Sequence, residues 1–209
     1  MKPKTLLVIK SSIFSNEGQS SQLANRFTAD WRASNPQAKV IERDLALDPV
    51  PHLTGGRFAA FLAKSEERTL TQVTEVMFSD RLINELQQAD VVVFALPMYN
   101  LGVPSTLKAY FDHVARIGMT FRYTDKGPVG LLTDKKVYVL ATRGGIYAGT
   151  ARDTETPYMR EVLGLMGITD IEFVYAEGLA MGEAPRAAAL TAASQAIERI
   201  SREELAAAA

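Results

Sequence analysis

The chain has 209 residues, 47% of them hydrophobic, enough to bury one substantial core and so to form one domain over residues 1–209. Its 23 Lys and Arg nearly balance 24 Asp and Glu, which gives no electrostatic case for nucleic acid or an anionic membrane surface and leaves a small molecule or another protein as partner. With no cysteine and only two histidines, His52 and His113, disulfides, thiolate nucleophiles and Cys-based metal sites are excluded, no metal site is expected, and redox chemistry has to come from a cofactor.

Thr5 to Lys10 (TLLVIK) is a short apolar run of the kind found in strands buried on both faces. It is too short for a secretory signal, and no stretch approaches the roughly 20 apolar residues that cross a bilayer, so a cytoplasmic location is expected. After a polar loop, Leu23, Phe27 and Trp31 recur every four residues and predict a helix that ends at Asn35-Pro36. Val40 to Arg43 reads as a second strand, and Asp48 to Arg57, with Pro49, Pro51 and Gly55-Gly56, as a long loop. Phe58 to Gln88 reads as a short helix and then a longer one, with Val73, Val76, Met77, Leu82, Ile83 and Leu86 inward.

Asp90 to Leu96 is the strongest strand, and Pro104 opens a helix carrying Leu107, Tyr110, Phe111 and Val114 inward. Thr120 to Leu132 alternates around Lys126-Gly127-Pro128, which predicts an inserted hairpin. Lys136 to Ala141 is the next strand. Pro157 can open a helix that ends near Gly167, and Ile171 to Tyr175 is a last strand. The C-terminal helix turns Ala189, Ala193, Ala196, Ile197 and Ile200 inward, and its four-alanine tail is expected to fray. Strands alternating with helices five times predict an α/β fold, a parallel five-stranded sheet covered on both faces. The flavodoxin-like order 2-1-3-4-5 suits it better than the six-stranded dinucleotide fold.

In such sheets ligands bind outside the carboxyl ends of the strands. Three loops fall there. Ser11-Ser12 through Gly18-Gln19-Ser20-Ser21 precedes a helix, where hydroxyls and free backbone N–H groups suit a phosphate. It lacks both GxxxxGK[ST] and GxGxxG, so a phosphate monoester fits better than a triphosphate or a dinucleotide. Pro97-Met98-Tyr99-Asn100 offers an amide with donor and acceptor for a flat ring edge. Thr142-Arg143-Gly144-Gly145 lets backbone N–H groups approach the end of a flavin where negative charge develops on reduction. One phosphate pocket and two flat-ligand loops together suggest flavin mononucleotide (FMN).

Each loop also has a purely structural account. The serines can be an N-cap and a turn residue, Met98 and Tyr99 core, Asn100 a turn former, and Gly-Gly a flexible connection. His113 reads as a packed histidine and His52 as a solvated one. Phe121 and Tyr123 on the hairpin are either a core or dimer contact or a lid over a flat substrate.

The segments KSSIFSNEGQSSQL, ALPMYNLGVPSTLKAYFDHVARIGMTFRYTDKGPVGL, ATRGG and GITDIEFVYAEG resemble the bacterial FMN-dependent NADH-azoreductases, also described as NADH:quinone oxidoreductases. The resemblance covers nearly the whole chain. It implies a flavodoxin-like fold, a homodimer with active sites at the subunit interface, and FMN contacts at Ser12, Gly18, Gln19, Ser20, Met98, Tyr99, Asn100, Leu101, Thr142, Arg143, Gly144 and Gly145. It further implies a ping-pong reaction in which NADH or NADPH gives hydride to flavin N5 and a quinone or azo compound takes it, with no catalytic side chain.

Tyr123 from the partner chain, Phe121 and Lys64 are the expected substrate contacts. Gly18, Leu101 and Thr142 stand where relatives often have Ser, Phe and Ser, and Leu165 replaces a common aromatic residue, which predicts a wider substrate slot. The competing expectation is a flavodoxin-type electron carrier that docks to proteins, against which the near-neutral charge argues. A phospho-receiver on the same fold would need a phospho-acceptor Asp where this chain has Pro97-Met98.

Overall fold

A computed structural model describes residues 3–207; the end of the alanine tail, where fraying is expected, lies outside them. In chain order the elements are β1 (Thr5–Lys10), α1 (Gln19–Ser34), β2 (Lys39–Asp44), α2 (Gly55–Leu62), α3 (Leu70–Gln88), β3 (Val91–Pro97) and α4 (Ser105–Val114). There follow β4 (Phe121–Thr124), β5 (Gly127–Gly130), β6 (Lys136–Thr142), α5 (Glu155–Leu165), β7 (Asp170–Ala176) and α6 (Glu183–Ala207). The main sheet has the order β2-β1-β3-β6-β7, all parallel, and β4 pairs with β5 as a separate antiparallel hairpin. Leaving the hairpin out of the count, this is the expected flavodoxin-like order.

Side chains alternate across the central strands, so each strand feeds two cores. Leu7, Ile9, Val92, Phe94, Val137 and Val139 pack under α3, α4 and α5. Leu6, Val8, Val93 and Leu140 pack under α1 and α6, where Leu23, Phe27 and Trp31 form the predicted stripe of α1, and Ala193, Ile197 and Ile200 that of α6. Burial on both faces is why β1 and β3 read as continuous apolar runs.

Three expectations need correction. First, α2 begins at Gly55, inside the segment predicted as loop, because Thr54 caps it by accepting the Arg57 N–H at 3.3 Å. Second, Val73 and Met77 face outward, 37% and 65% exposed. The inward stripe of α3 runs through Val76, Ser79, Leu82, Ile83 and Leu86, and a buried serine hid its phase from a purely apolar pattern. Ser79 is satisfied there, donating to His113 O at 2.6 Å and accepting from the Arg116 guanidinium at 2.9 Å. Third, α5 starts at Glu155, two residues before Pro157.

The hairpin is seated on the turn after α5. Leu132 N donates to Met166 O at 2.8 Å, and a Cβ on Gly130 would lie 2.0 Å from Gly167 N. Close approach of two backbones is possible there only with glycine. Among the described residues no helix is long and apolar enough to cross a membrane.

Candidate active site

Parallel pairing brings the carboxyl ends of four strands to one edge. Ser11 N donates to Ala95 O at 3.3 Å, Met98 N to Thr142 O at 3.0 Å and Arg143 N to Ala176 O at 2.9 Å. The loops that leave this edge enclose a cleft of about 260 Å³ lined by Ser12, Phe14, Gly18, Gln19, Pro97, Met98, Tyr99, Thr142, Arg143, Gly144, Leu179, Ala180 and Arg186. All three loops picked out in the sequence therefore meet in one place. Ser20, Asn100 and Gly145 adjoin lining residues in the chain and Leu101 lies one residue further; none of the four lines the cavity itself.

At one end lies the first turn of α1, which has no side-chain cap. The first of its amides to find an acceptor is Gln22, at 2.9 Å from Gly18 O, so the amides of Gln19, Ser20 and Ser21 stay open to an anion. The Ser20 and Ser21 hydroxyls are buried with no hydrogen-bond partner, a state that buried hydroxyls rarely keep. Gly18 is dictated by packing, since a Cβ there would meet Ser12 Oγ at 2.1 Å. Ser12 Oγ in turn accepts from Phe14 N at 3.2 Å and shares a hydrogen bond with Tyr99 Oη at 3.2 Å. The Tyr99 hydroxyl also accepts from Ile13 N at 3.3 Å, so Tyr99 is a strut that ties the loop after β3 to the loop after β1.

Beyond Tyr99 the chain reverses in two residues. Tyr99 and Gly102 exchange both backbone hydrogen bonds at 3.0 Å, while Asn100 (φ 50°) and Leu101 (φ 63°) sit in the left-handed region. Positive φ at both central positions is the signature of a type I′ turn. Asn tolerates it; Leu does so at a cost of about 1 kcal/mol. Thr154 Oγ1 donates to Leu101 O and holds the turn.

The third wall is the loop after β6. The carbonyls of Arg143, Gly144 and Gly145 accept from Leu179, Ala180 and Gly178 at 3.1, 3.0 and 2.9 Å, whereas the Gly144 and Gly145 N–H groups have no acceptor among the described residues. A Cβ would approach Ala180 Cβ to 3.3 Å at Gly144 and the Tyr147 ring to 3.0 Å at Gly145. Two free amides thus face the need foreseen for them, and an uncapped helix start with two orphaned hydroxyls faces the need of a phosphate. The residues present fit FMN.

The profile of the family described as flavodoxin-like fold matches residues 4–200. An FMN-dependent NADH:quinone oxidoreductase of Cellvibrio japonicus is 54% identical over 183 residues, 88% of this chain and 92% of its own length. The chain belongs to this flavodoxin-like family of FMN-dependent oxidoreductases. Among solved structures, an azoreductase from Bacillus anthracis str. Sterne superposes with a TM-score of 0.88 at 28% identity, over 96% of this chain and 99% of that one. An FMN-dependent NADH-azoreductase from Bacillus anthracis str. Ames Ancestor, solved in complex with FMN, shares the fold with a TM-score of 0.88 at 22% identity, over 97% and 99% of the two chains.

Several residues lie elsewhere than a family member's sequence suggests. The Arg143 side chain is wholly buried and turned away from the cleft, so only its backbone lines the wall. Its guanidinium meets Asp153 at 2.9 Å, Glu155 at 3.1 Å and Glu177 at 3.1 Å. Glu177 Oε1 also accepts the Tyr147 and Ala148 N–H groups at 2.9 Å each, which fixes the loop from behind. Burial pushes the Glu155 carboxyl up to about 7, against the lowering pull of Arg143 and with the repulsion of Asp153 and Glu177, and Glu155 Oε1 has no hydrogen-bond partner.

Lys64 is 71% exposed beside Glu67 at 3.5 Å, outside the cleft. Leu165 ends α5; that helix runs back from the ligand-binding edge, so Leu165 lies at its far end and does not line the cleft. Phe121 and Tyr123 meet edge to face at 5.7 Å and line a different, apolar cavity with Phe58, Phe61, Leu62 and Ile117. His113 is the packed histidine expected, its Nε2 at 2.9 Å from Pro51 O and its ring edge-on to Phe61 and Phe78. Burial lowers its pKa. Sequence reasoning missed Phe14, Leu179, Ala180 and Arg186, which carry no motif; the only signal was that a loop after β7 must leave the same edge as the others.

Proposed function

We propose that the chain binds one FMN in this cleft and uses it to carry reducing equivalents from NADH or NADPH to quinones or azo compounds by a ping-pong scheme. Bound FMN supplies the hydride chemistry, accepting from the nicotinamide and delivering to the second substrate. Every remaining task falls to positioning. The open amides of Gln19, Ser20 and Ser21, with their orphaned hydroxyls, hold the phosphate, and Ser12 with Tyr99 shapes the passage from it. The turn carrying Asn100 and Leu101 sets the ring edge. The free amides of Gly144 and Gly145 oppose the pyrimidine end and stabilise the charge that appears there, a preorganised donor pair of the oxyanion-hole kind.

The observation that carries this reading is the convergence of three loops on one cleft, two of them with unsatisfied donors. We further infer a homodimer in the cytoplasm, acting as one domain, with Tyr123 of one protomer covering the substrate on its partner. The test is anaerobic mixing of purified, FMN-loaded protein with NADH or NADPH. Rapid bleaching of the flavin absorbance without any protein partner, followed by recovery on adding a benzoquinone, is the expected outcome. A flavin that stays oxidised until a reductase protein is added would mark an electron carrier instead.

A further inference from the structure

α1 and α6 run side by side on one face of the sheet, joined by an ion pair between Arg26 and Glu198. At the helical rise, about 18 Å separates Arg186 from Glu198 along α6, against about 10 Å between Gln19 and Arg26 along α1. Counted from that ion pair, α6 thus extends about 8 Å further toward its N-terminus than α1 does. The inward stripe of α6 runs through Ile200, Ile197 and Ala193 to Leu190, all in the core under the sheet. One helical turn further lies Arg186. A stripe that faces the core below the strand ends faces the cleft above them, and Arg186 does line it, as do Gly18 and Gln19.

The Arg186 backbone N–H donates to Gly182 O at 3.2 Å, but its guanidinium makes no hydrogen bond or ion pair with any described residue, and the cleft is lined by no carboxylate. The other arginine of the wall, Arg143, contributes only backbone to it, its guanidinium being held by three acids. Gly18, meanwhile, has no room for a hydroxyl-bearing side chain beside Ser12. From this arrangement we infer that Arg186 is a cofactor-binding residue: its guanidinium closes over the FMN phosphate from α6 while the amides of α1 hold it from below. An arginine suits that role because its fork of N–H donors matches phosphate oxygens and stays charged throughout the working pH range. The inference rests on the proposed FMN site and names a ligand to it from an element outside the three loops.

The experiment compares apoprotein binding of FMN and of riboflavin, which lacks the phosphate, by quenching of flavin fluorescence, for wild type, Arg186→Ala and Arg186→Lys. The expected result is a roughly tenfold rise in Kd for FMN in Arg186→Ala, partial recovery in Arg186→Lys, an unchanged Kd for riboflavin, and a shallower dependence of FMN affinity on salt. Arg186→Ala that binds FMN within twofold of wild type overturns the assignment and leaves the proposed function intact. So does an equal loss for both flavins, which would make Arg186 a ring or packing residue. Unchanged FMN affinity with a raised KM for NADH would move its partner to the dinucleotide phosphates and equally overturn it. Wild-type protein that binds neither flavin overturns the proposed function and this inference together.

Discussion

Glu155 is the residue where burial and chemistry pull hardest against each other. Three carboxylates share one guanidinium, and Glu155, with no exposed surface, keeps its proton up to about pH 7. The unfolded chain ionises this carboxyl near 4.5. A raised pKa in the folded state contributes stability that is full below the unfolded value and is lost as pH rises through the folded one. Between pH 5 and pH 8 the protein therefore loses on the order of 3 kcal/mol of stability from this group. Asp153, held below its usual range by Thr156 and Arg143 despite its burial, titrates at lower pH, and His113, whose pKa burial lowers, contributes in the opposite sense and equally in wild type and a Glu155 variant. Glu155→Gln is expected to make the slope of Tm against pH across that window more positive than in wild type, and equal slopes for the two proteins would show that Glu155 is already ionised at pH 5. None of this was legible in the sequence: Arg143 reads as part of a cofactor loop, while its partners lie 10, 12 and 34 residues along the chain. Arg186 escaped notice for a related reason, since an isolated arginine on a helix has no local pattern to mark it.

At the scale of elements, the turn from Tyr99 to Gly102 separates the two readings of Asn100. As a turn former, Asn100 is needed only for its tolerance of positive φ, and glycine should replace it without loss. As a ring contact it also supplies an amide, which glycine cannot. Asn100→Gly is accordingly expected to keep the fold and Tm yet weaken FMN binding by about tenfold and shift the flavin absorption bands; wild-type affinity and spectrum in this variant would reduce Asn100 to a turn residue. Strand positions were legible to within a residue or two because a buried parallel sheet requires unbroken apolar runs, as in Thr5–Lys10 and Val91–Pro97. α2 and the phase of α3 were not. Two glycines disguised the start of a capped helix at Thr54, and Ser79, bonded to His113 and Arg116 from other parts of the fold, broke the apolar period that marks an inward face.

At the scale of the whole molecule, the apolar surface outside the cleft needs a partner. Phe58, Leu62, Ile117 and Tyr123 are 50 to 66% exposed and rim the cavity floored by Phe61 and Phe121. A contiguous exposed apolar patch marks an association site, and this one joins α2, the end of α4 and the hairpin. The loops after β1, β3, β6 and β7 of a single chain enclose the cleft, and Tyr123 lines a different cavity of that chain. Under the proposed homodimer, cofactor retention and turnover therefore separate when the two chains are parted. Leu62→Glu combined with Ile117→Glu places two charges in the patch, where desolvating them on association is costly. The expected double variant sediments as a monomer, binds FMN within a few-fold of wild type, and loses at least tenfold in kcat/KM for the quinone because Tyr123 of a second chain no longer covers the substrate. A double variant that is monomeric with full turnover would show that each chain completes its own site. One that remains dimeric would place the contact on another face.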